Sequence, residues 1–167
     1  MIGKALIGRP CGRSPTHVPA RPLQSMRDVR SRGTARVFST KVTSHMSKRI
    51  LLVGHCGVDG PRLQQEISSF LNGAEVLRVN TDQDLQREVE QGADLLMVNR
   101  EPVGFSKEGV DIIRHLHQHF PDCKVMLVSD YPEAQEQALG VGAIPGVGKV
   151  DIGSPKFERT VREAVGN

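Results

Sequence analysis

Aromatic side chains are scarce in this chain of 167 residues: it has no Trp, one Tyr and five Phe. That excludes an extended stacking platform for single-stranded nucleic acid, which needs several aromatic faces in register. There is no apolar run near the roughly 20 residues that a membrane helix requires, and no secretory core segment, so no membrane association is expected. Cysteine is also sparse. Cys11, Cys56 and Cys123 form neither a CxxC pair nor a Cys/His set at zinc spacing, which excludes a structural zinc site and fits free thiols in a reducing cytoplasm. The Walker pattern and GxGxxG are missing, so Gly54 to Gly60 lacks the signature of a phosphate cradle.

Charge is present in quantity but unevenly placed. The net charge is +3. The first 48 residues hold ten Lys or Arg against one acid, Asp28, while the remainder holds twelve bases against 18 acids. A basic tail thus precedes an acidic domain, and the basic overall balance is no argument that the folded part binds nucleic acid. Residues 1–46 carry Pro10, Pro15, Pro19 and Pro22 with many Arg and Ser and no sustained apolar period. They read as a disordered basic tail or as a start placed too early, since Met46 opens MSKRILLVG just before a strand. An organelle transit peptide and an arm attracted to phosphates remain open alternatives.

From residue 47 to 167 the pattern alternates. Arg49 to Val53 is a continuous apolar run of the kind buried on both faces of a parallel sheet. A Gly-rich loop follows, and Pro61 opens a helix with Leu63, Ile67, Phe70 and Leu71 inward. Glu75 to Val79 is a more polar strand, expected near an edge. Thr81 caps a helix whose inward residues are Leu85 and Val89. Ala93 to Val98 is a central strand, and the next helix presents Val110, Ile113, Leu116 and Phe120. Lys124 to Val128 is the fourth strand, followed by a helix near Glu133 to Leu139. Ala143 to Val150 is a weak fifth strand, interrupted by Pro145 and two glycines. Ser154-Pro155 caps a last helix with Phe157, Val161 and Val165 inward. Five strands alternating with five helices predict an α/β fold, a doubly wound parallel sheet of flavodoxin-like order. Ligand sites in such sheets lie past the carboxyl ends of the strands. Those positions are Gly54 and His55, Asn99, Ser129 and Lys149.

Read in that frame, Lys48 to Val165 resembles a receiver domain of two-component response regulators. Ala-Asp-Leu-Leu-Met-Val-Asn99 resembles the strand that ends in the phosphoacceptor Asp. Val-Met-Leu-Val-Ser129 resembles the strand ending in Ser or Thr, and Lys149 falls at the family's Lys. The resemblance implies an Asp that attacks a phosphoryl group, an acid pair that holds Mg²⁺, and a Lys and hydroxyl that bind phosphoryl oxygens. Here Gly54 and His55 stand for the acid pair and Asn99 for the nucleophile. Val150 follows the Lys in place of Pro, and Gly146 stands for the aromatic switch residue.

The expectation is therefore a pseudo-receiver with a degenerate phosphoacceptor site at Gly54, His55, Asn99, Ser129 and Lys149. It has no catalytic residue, no metal and no cofactor, because magnesium prefers charged oxygens. It would be a cytoplasmic, non-enzymatic, stand-alone module for phosphorelay-type signal transduction, independent of phosphorylation, with no output domain expected after the last helix. Its partner would be a signalling protein or a second copy of itself, met through a face including Glu133, Gln137 and Arg162. The alternative is a small-anion or ligand binder at the strand ends. A flavin or cobalamin enzyme is disfavoured, for the expected Ser/Thr-rich loop and DxHxxG are missing.

Three single-residue expectations accompany this. The Asn99 amide should bond Lys149 or Ser129, or merely cap a turn. Asp130 should cap the fourth helix. His115 and His119, with Asp111 nearby, form either a solvated face or a weak metal clasp.

Overall fold

The sheet is wholly parallel, in the order β2-β1-β3-β4-β5. A computed structural model describes residues 47–166; the tail readings for residues 1–46 fall outside the described residues. The strands are β1 (Arg49–Val53), β2 (Glu75–Val79), β3 (Leu95–Asn99), β4 (Val125–Val128) and β5 (Ile144–Val147). The helices are α1 (Asp59–Phe70), α2 (Asp82–Glu90), α3 (Gly109–His119), α4 (Pro132–Gly140) and α5 (Pro155–Val165). This is the flavodoxin-like α/β order that the alternation predicts, with β2 at an edge and β3 central.

Strand alternation builds two cores. Ile50, Leu52, Leu95, Met97, Met126 and Val128 face α1 and α5, where Leu63, Ile67, Phe157 and Val161 meet them. Leu51, Val53, Leu96, Val98, Val125 and Leu127 face α2, α3 and α4. A period of two on strands buried on both sides explains why β1, β3 and β4 are apolar throughout. Phe157 is fully buried and meets Phe70 edge-on, with ring centroids 6.0 Å apart.

Local signals set the helix ends. The Thr81 hydroxyl accepts from the Asp84 amide at 3.1 Å, and the Ser154 hydroxyl accepts from the Phe157 amide at 3.2 Å. Each satisfies an orphan donor of a first turn. Three readings shift. In α3 the buried residues are Ile112, Ile113 and Leu116, while Val110 is only half-buried; the stripe starts from Gly109, which packs against the Asn99 carbonyl. The helix α1 starts at Asp59, so Gly60 belongs to it rather than to the loop, with Pro61 in the first turn as expected. The fifth strand is four residues long, because Pro145 cannot donate and a register irregularity follows it.

At the amino end of the sheet Arg49 ties four segments. Its guanidinium donates to the Glu88 and Gly92 carbonyls at 2.8 and 2.7 Å, bonds the Glu88 carboxylate, and meets Glu75 at 3.0 Å. Its own amide donates to Asp94 at 2.8 Å. Cys56 is a free thiol, but Cys123 is disulfide-bonded, so the free-thiol expectation is corrected at Cys123. No described helix is long and apolar enough to cross a membrane.

The Phe157→Ala substitution removes the largest fully buried ring and leaves a cavity. It is expected to cost about 3–5 kcal/mol of stability in urea melts, with an unchanged far-ultraviolet dichroism spectrum before the transition.

Candidate functional site

The strand order reverses between β1 and β3, since the chain leaves β1 toward β2 on one side and returns to β3 on the other. At that switch point the loops part and leave a crevice. Gly54 lies at its base in a left-handed conformation (φ +69°), and a Cβ there would stand 2.1 Å from the Pro102 Cβ. Only glycine fits, because both the torsion and the approach of the β3–α3 loop exclude a side chain.

Asn99 is buried at the end of β3. Its Nδ2 donates to the Gly54 carbonyl at 3.1 Å and to the Glu101 carbonyl at 2.7 Å. Carbonyls can only accept, so the amide nitrogen must face them and Oδ1 turns away; Oδ1 is buried without a protein partner. This corrects the expected bond to Lys149 or Ser129. The turn-capping reading is partly right, since one bond is local, but the other spans the switch point.

His55 is also buried. Its Nε2 lies 3.0 Å from the Met97 carbonyl and therefore carries the proton, which leaves Nδ1 an acceptor without a protein partner. Burial, reinforced by the Lys149 and Arg78 charges, lowers its pKa from 6.5 to about 4, against the Met97 bond and Asp59. The imidazole is neutral at physiological pH.

Lys149 is half-buried and its ammonium meets Asp59 at 2.8 Å. That hydrogen bond is the chief cause holding the Asp59 carboxyl below its usual range. Asp59 is the site residue that the sequence reading missed. Its signal was an acid at a helix start, hidden because Gly60 and Pro61 read as loop and first turn. Ser129 is buried and its hydroxyl accepts from the Tyr131 amide at 3.2 Å. Asp130 does not cap α4, whose first turn has no side-chain cap; its Oδ1 instead accepts from the Val150 amide at 3.1 Å, linking the β4–α4 and β5–α5 loops.

Asn99, Arg100, Glu101, Ser129, Asp130, Tyr131 and Lys149 line one cavity of about 230 Å³. Arg100 pairs with Glu101 and its guanidinium lies 4.3 Å from the Tyr131 ring centroid. Gly54 and His55 adjoin this cavity without lining it. In the Gly-rich loop the His55 and Cys56 carbonyls accept from Arg78 at 3.4 and 3.3 Å.

The position of the switch aromatic is filled by other means. A Cβ on Gly146 would meet the Leu127 carbonyl at 2.2 Å and the Gln135 amide at 2.4 Å. The Gln135 Nε2 lies over that strand and contacts three carbonyls, of Leu127 (3.3 Å), Ser129 (2.9 Å) and Val147 (3.3 Å). It staples α4 onto the β4–β5 seam. Of the residues named for a contact face, Glu133 and Gln137 are exposed, and the half-exposed Arg162 pairs with Glu158 at 2.9 Å and lies over Phe70 of α1.

The donor set does not fit the magnesium that the resemblance implies. Gly54 offers no side chain, the His55 Nε2 is engaged, and the Asn99 group that meets the two carbonyls is a donor. An ion that needs about six oxygen ligands at close to octahedral geometry finds no charged oxygen at these three positions. Among the described residues no group of three His, Cys, Asp or Glu side chains could hold a metal.

No family model matches the chain and no curated protein is similar to it. Solved structures do match, among them response regulators and their receiver domains. A response regulator from Thermotoga maritima is 19% identical with a TM-score of 0.59, over 72% of this chain and 99% of that one. The receiver domain of a DNA-binding response regulator from Colwellia psychrerythraea 34H is 17% identical, TM-score 0.59, over 72% and 100%. The receiver domain of an HD domain-containing protein from Pseudomonas fluorescens Pf-5 is 22% identical, TM-score 0.61, over 72% and 88%. At these identities the likeness is one of fold.

The buried neutral His55 gives stability a definite pH dependence. The unfolded chain takes up a proton near pH 6.5, the folded one only near 4. Stability is therefore full above the unfolded value, falls as pH drops through that window by as much as about 3 kcal/mol, and levels off below it. Denaturant melts along a pH series check this. His55→Gln, which keeps a donor for Met97 and cannot titrate, should remove that part of the slope.

Proposed function

From a receiver-like fold with these side chains at its strand ends, we propose that the chain is a non-enzymatic signalling module, a pseudo-receiver that acts through protein–protein contact and without phosphorylation. The observation that carries this reading is the Asn99 amide, whose two hydrogens satisfy the Gly54 and Glu101 carbonyls. A cation placed between those carbonyls would do the same electrostatic work. The neutral amide does it permanently, and an amide oxygen is too weak a nucleophile to take up a phosphoryl group. The Gln135 staple supports the same reading, because it occupies the seam that a mobile aromatic would need.

Protein contact is supported by the rim of the crevice. Val58, Val103, Tyr131 and Val150 are 76%, 53%, 57% and 80% exposed. They belong to the loops after β1, β3, β4 and β5, so all four stand at the carboxyl end of the sheet. Exposed apolar groups at one end of a sheet are what a partner would desolvate.

The small-anion alternative has less support. The Lys149 ammonium is neutralised by Asp59 and Arg100 by Glu101. Asp130 adds a further carboxylate to the lining, and the buried Asn99 Oδ1 presents an acceptor.

The test is direct. The full chain incubated with acetyl phosphate and Mg²⁺ should show no mass increase and no magnesium-dependent rise in melting temperature; either change would overturn the reading. Asn99→Asp places carboxylate oxygens against two carbonyls. It should destabilise by about 1–3 kcal/mol, with part of the loss recovered by Mg²⁺. In pull-downs, Val150→Asp should lose partners that the unmodified chain retains.

A further inference from the structure

A second concavity, of about 380 Å³, lies between α2 and α3 and shares no lining residue with the strand-end pocket. Small-molecule sites typically run from about 300 to 1,000 Å³. Its floor is apolar, made by Leu85 of α2 with Ile112, Leu116 and Phe120 of α3 and its end. Three basic side chains stand around that floor, Lys107, His115 and His119, with Asp82 and Gln86 of α2 also lining it.

The imidazoles lie one helical turn apart, with ring centroids 4.2 Å from each other and planes tilted by 36°. The His119 Nδ1 is 2.9 Å from the His115 carbonyl, so it donates there and its Nε2 stays available. Among the described residues neither the Lys107 ammonium nor the His115 ring has a hydrogen bond or ion pair. The His115 pKa lies below its ordinary value, first through desolvation and then through repulsion from His119 and Lys107, with Asp82 opposing. His119 and Lys107 thus disfavour charge on His115, and an anion between them would relieve that repulsion. A metal is a poorer occupant, since Asp111 is bonded to Arg114 and among the described residues no three His, Cys, Asp or Glu side chains are placed to hold one.

We propose that the α2–α3 groove binds a small organic acid, its apolar body on Leu85, Ile112 and Leu116 and its carboxylate between Lys107 and His115. The apolar floor supplies affinity and the nitrogen rim sets the sign of charge.

The experiment titrates the isotopically labelled full chain with 2-naphthoate and with octanoate, up to about 1 mM. The neutral counterparts 2-naphthamide and octanamide serve as controls, and amide and imidazole resonances are followed. At least one acid should saturate, shift Lys107, His115 and His119, and bind about fivefold or more tightly than its amide. Lys107→Met, at an exposed position, should cost about fivefold in affinity and leave the melting temperature unchanged. Equal affinity for acid and amide, failure of both acids to saturate, or shifts centred instead on Asn99, Ser129 and Lys149 would each overturn the assignment.

Discussion

Two backbone carbonyls converge at the switch point of the sheet, and the arrangement around them follows from the need to satisfy them. The Gly54 oxygen is buried away from water and requires donors; the Glu101 oxygen beside it, at a part-buried bond, shares one of them. The Gly54 oxygen receives the Val103 amide at 2.9 Å and the Asn99 amide at 3.1 Å. Gly54 must be glycine so that Pro102 can come close enough for this, and Gly109 packs on the Asn99 carbonyl just behind. A carboxylate at residue 99 would turn the same cluster into a cage of oxygens that needs a cation.

Around this centre, side chains bind the loops to one another. Lys149 reaches Asp59 across the β1–α1 and β5–α5 loops, Asp130 takes the Val150 amide, and Gln135 caps the β4–β5 seam. Each tie links segments that would have to separate in a two-state switch. At the amino end of the sheet the Arg49 network ties β1 to β2, α2 and the β3 entry. A scaffold fastened at both ends presents a fixed surface, which the recognition role proposed above would use.

The fold was legible because its signals are local or periodic. Apolar runs at β1, β3 and β4, the caps at Thr81 and Ser154, and the glycines that end helices can each be read within a few residues. The site was legible in part. Strand ends are predictable positions, so Gly54, His55, Asn99, Ser129 and Lys149 could be singled out, but their partners could not. Asn99 finds Gly54 over 45 positions of chain, and Lys149 finds Asp59 over 90. Gln135 looks like any exposed helix glutamine until the helix is laid against a glycine on β5. Ile112 displaced Val110 because the phase of α3 is set by Gly109 seating under β3, which no helical period reveals.

The sequence by itself determined the alternation of strands and helices, the doubly wound order, and the lack of carboxylates at three strand-end positions. These depend on residue type and on spacing within an element. Only the tertiary structure decided which way the Asn99 amide points, that an acid from α1 neutralises Lys149, and that α2 and α3 leave a groove rimmed by histidines. Each of those is a contact between distant segments, set by how close two backbones pass, and distances between segments are not written in the local order of residues.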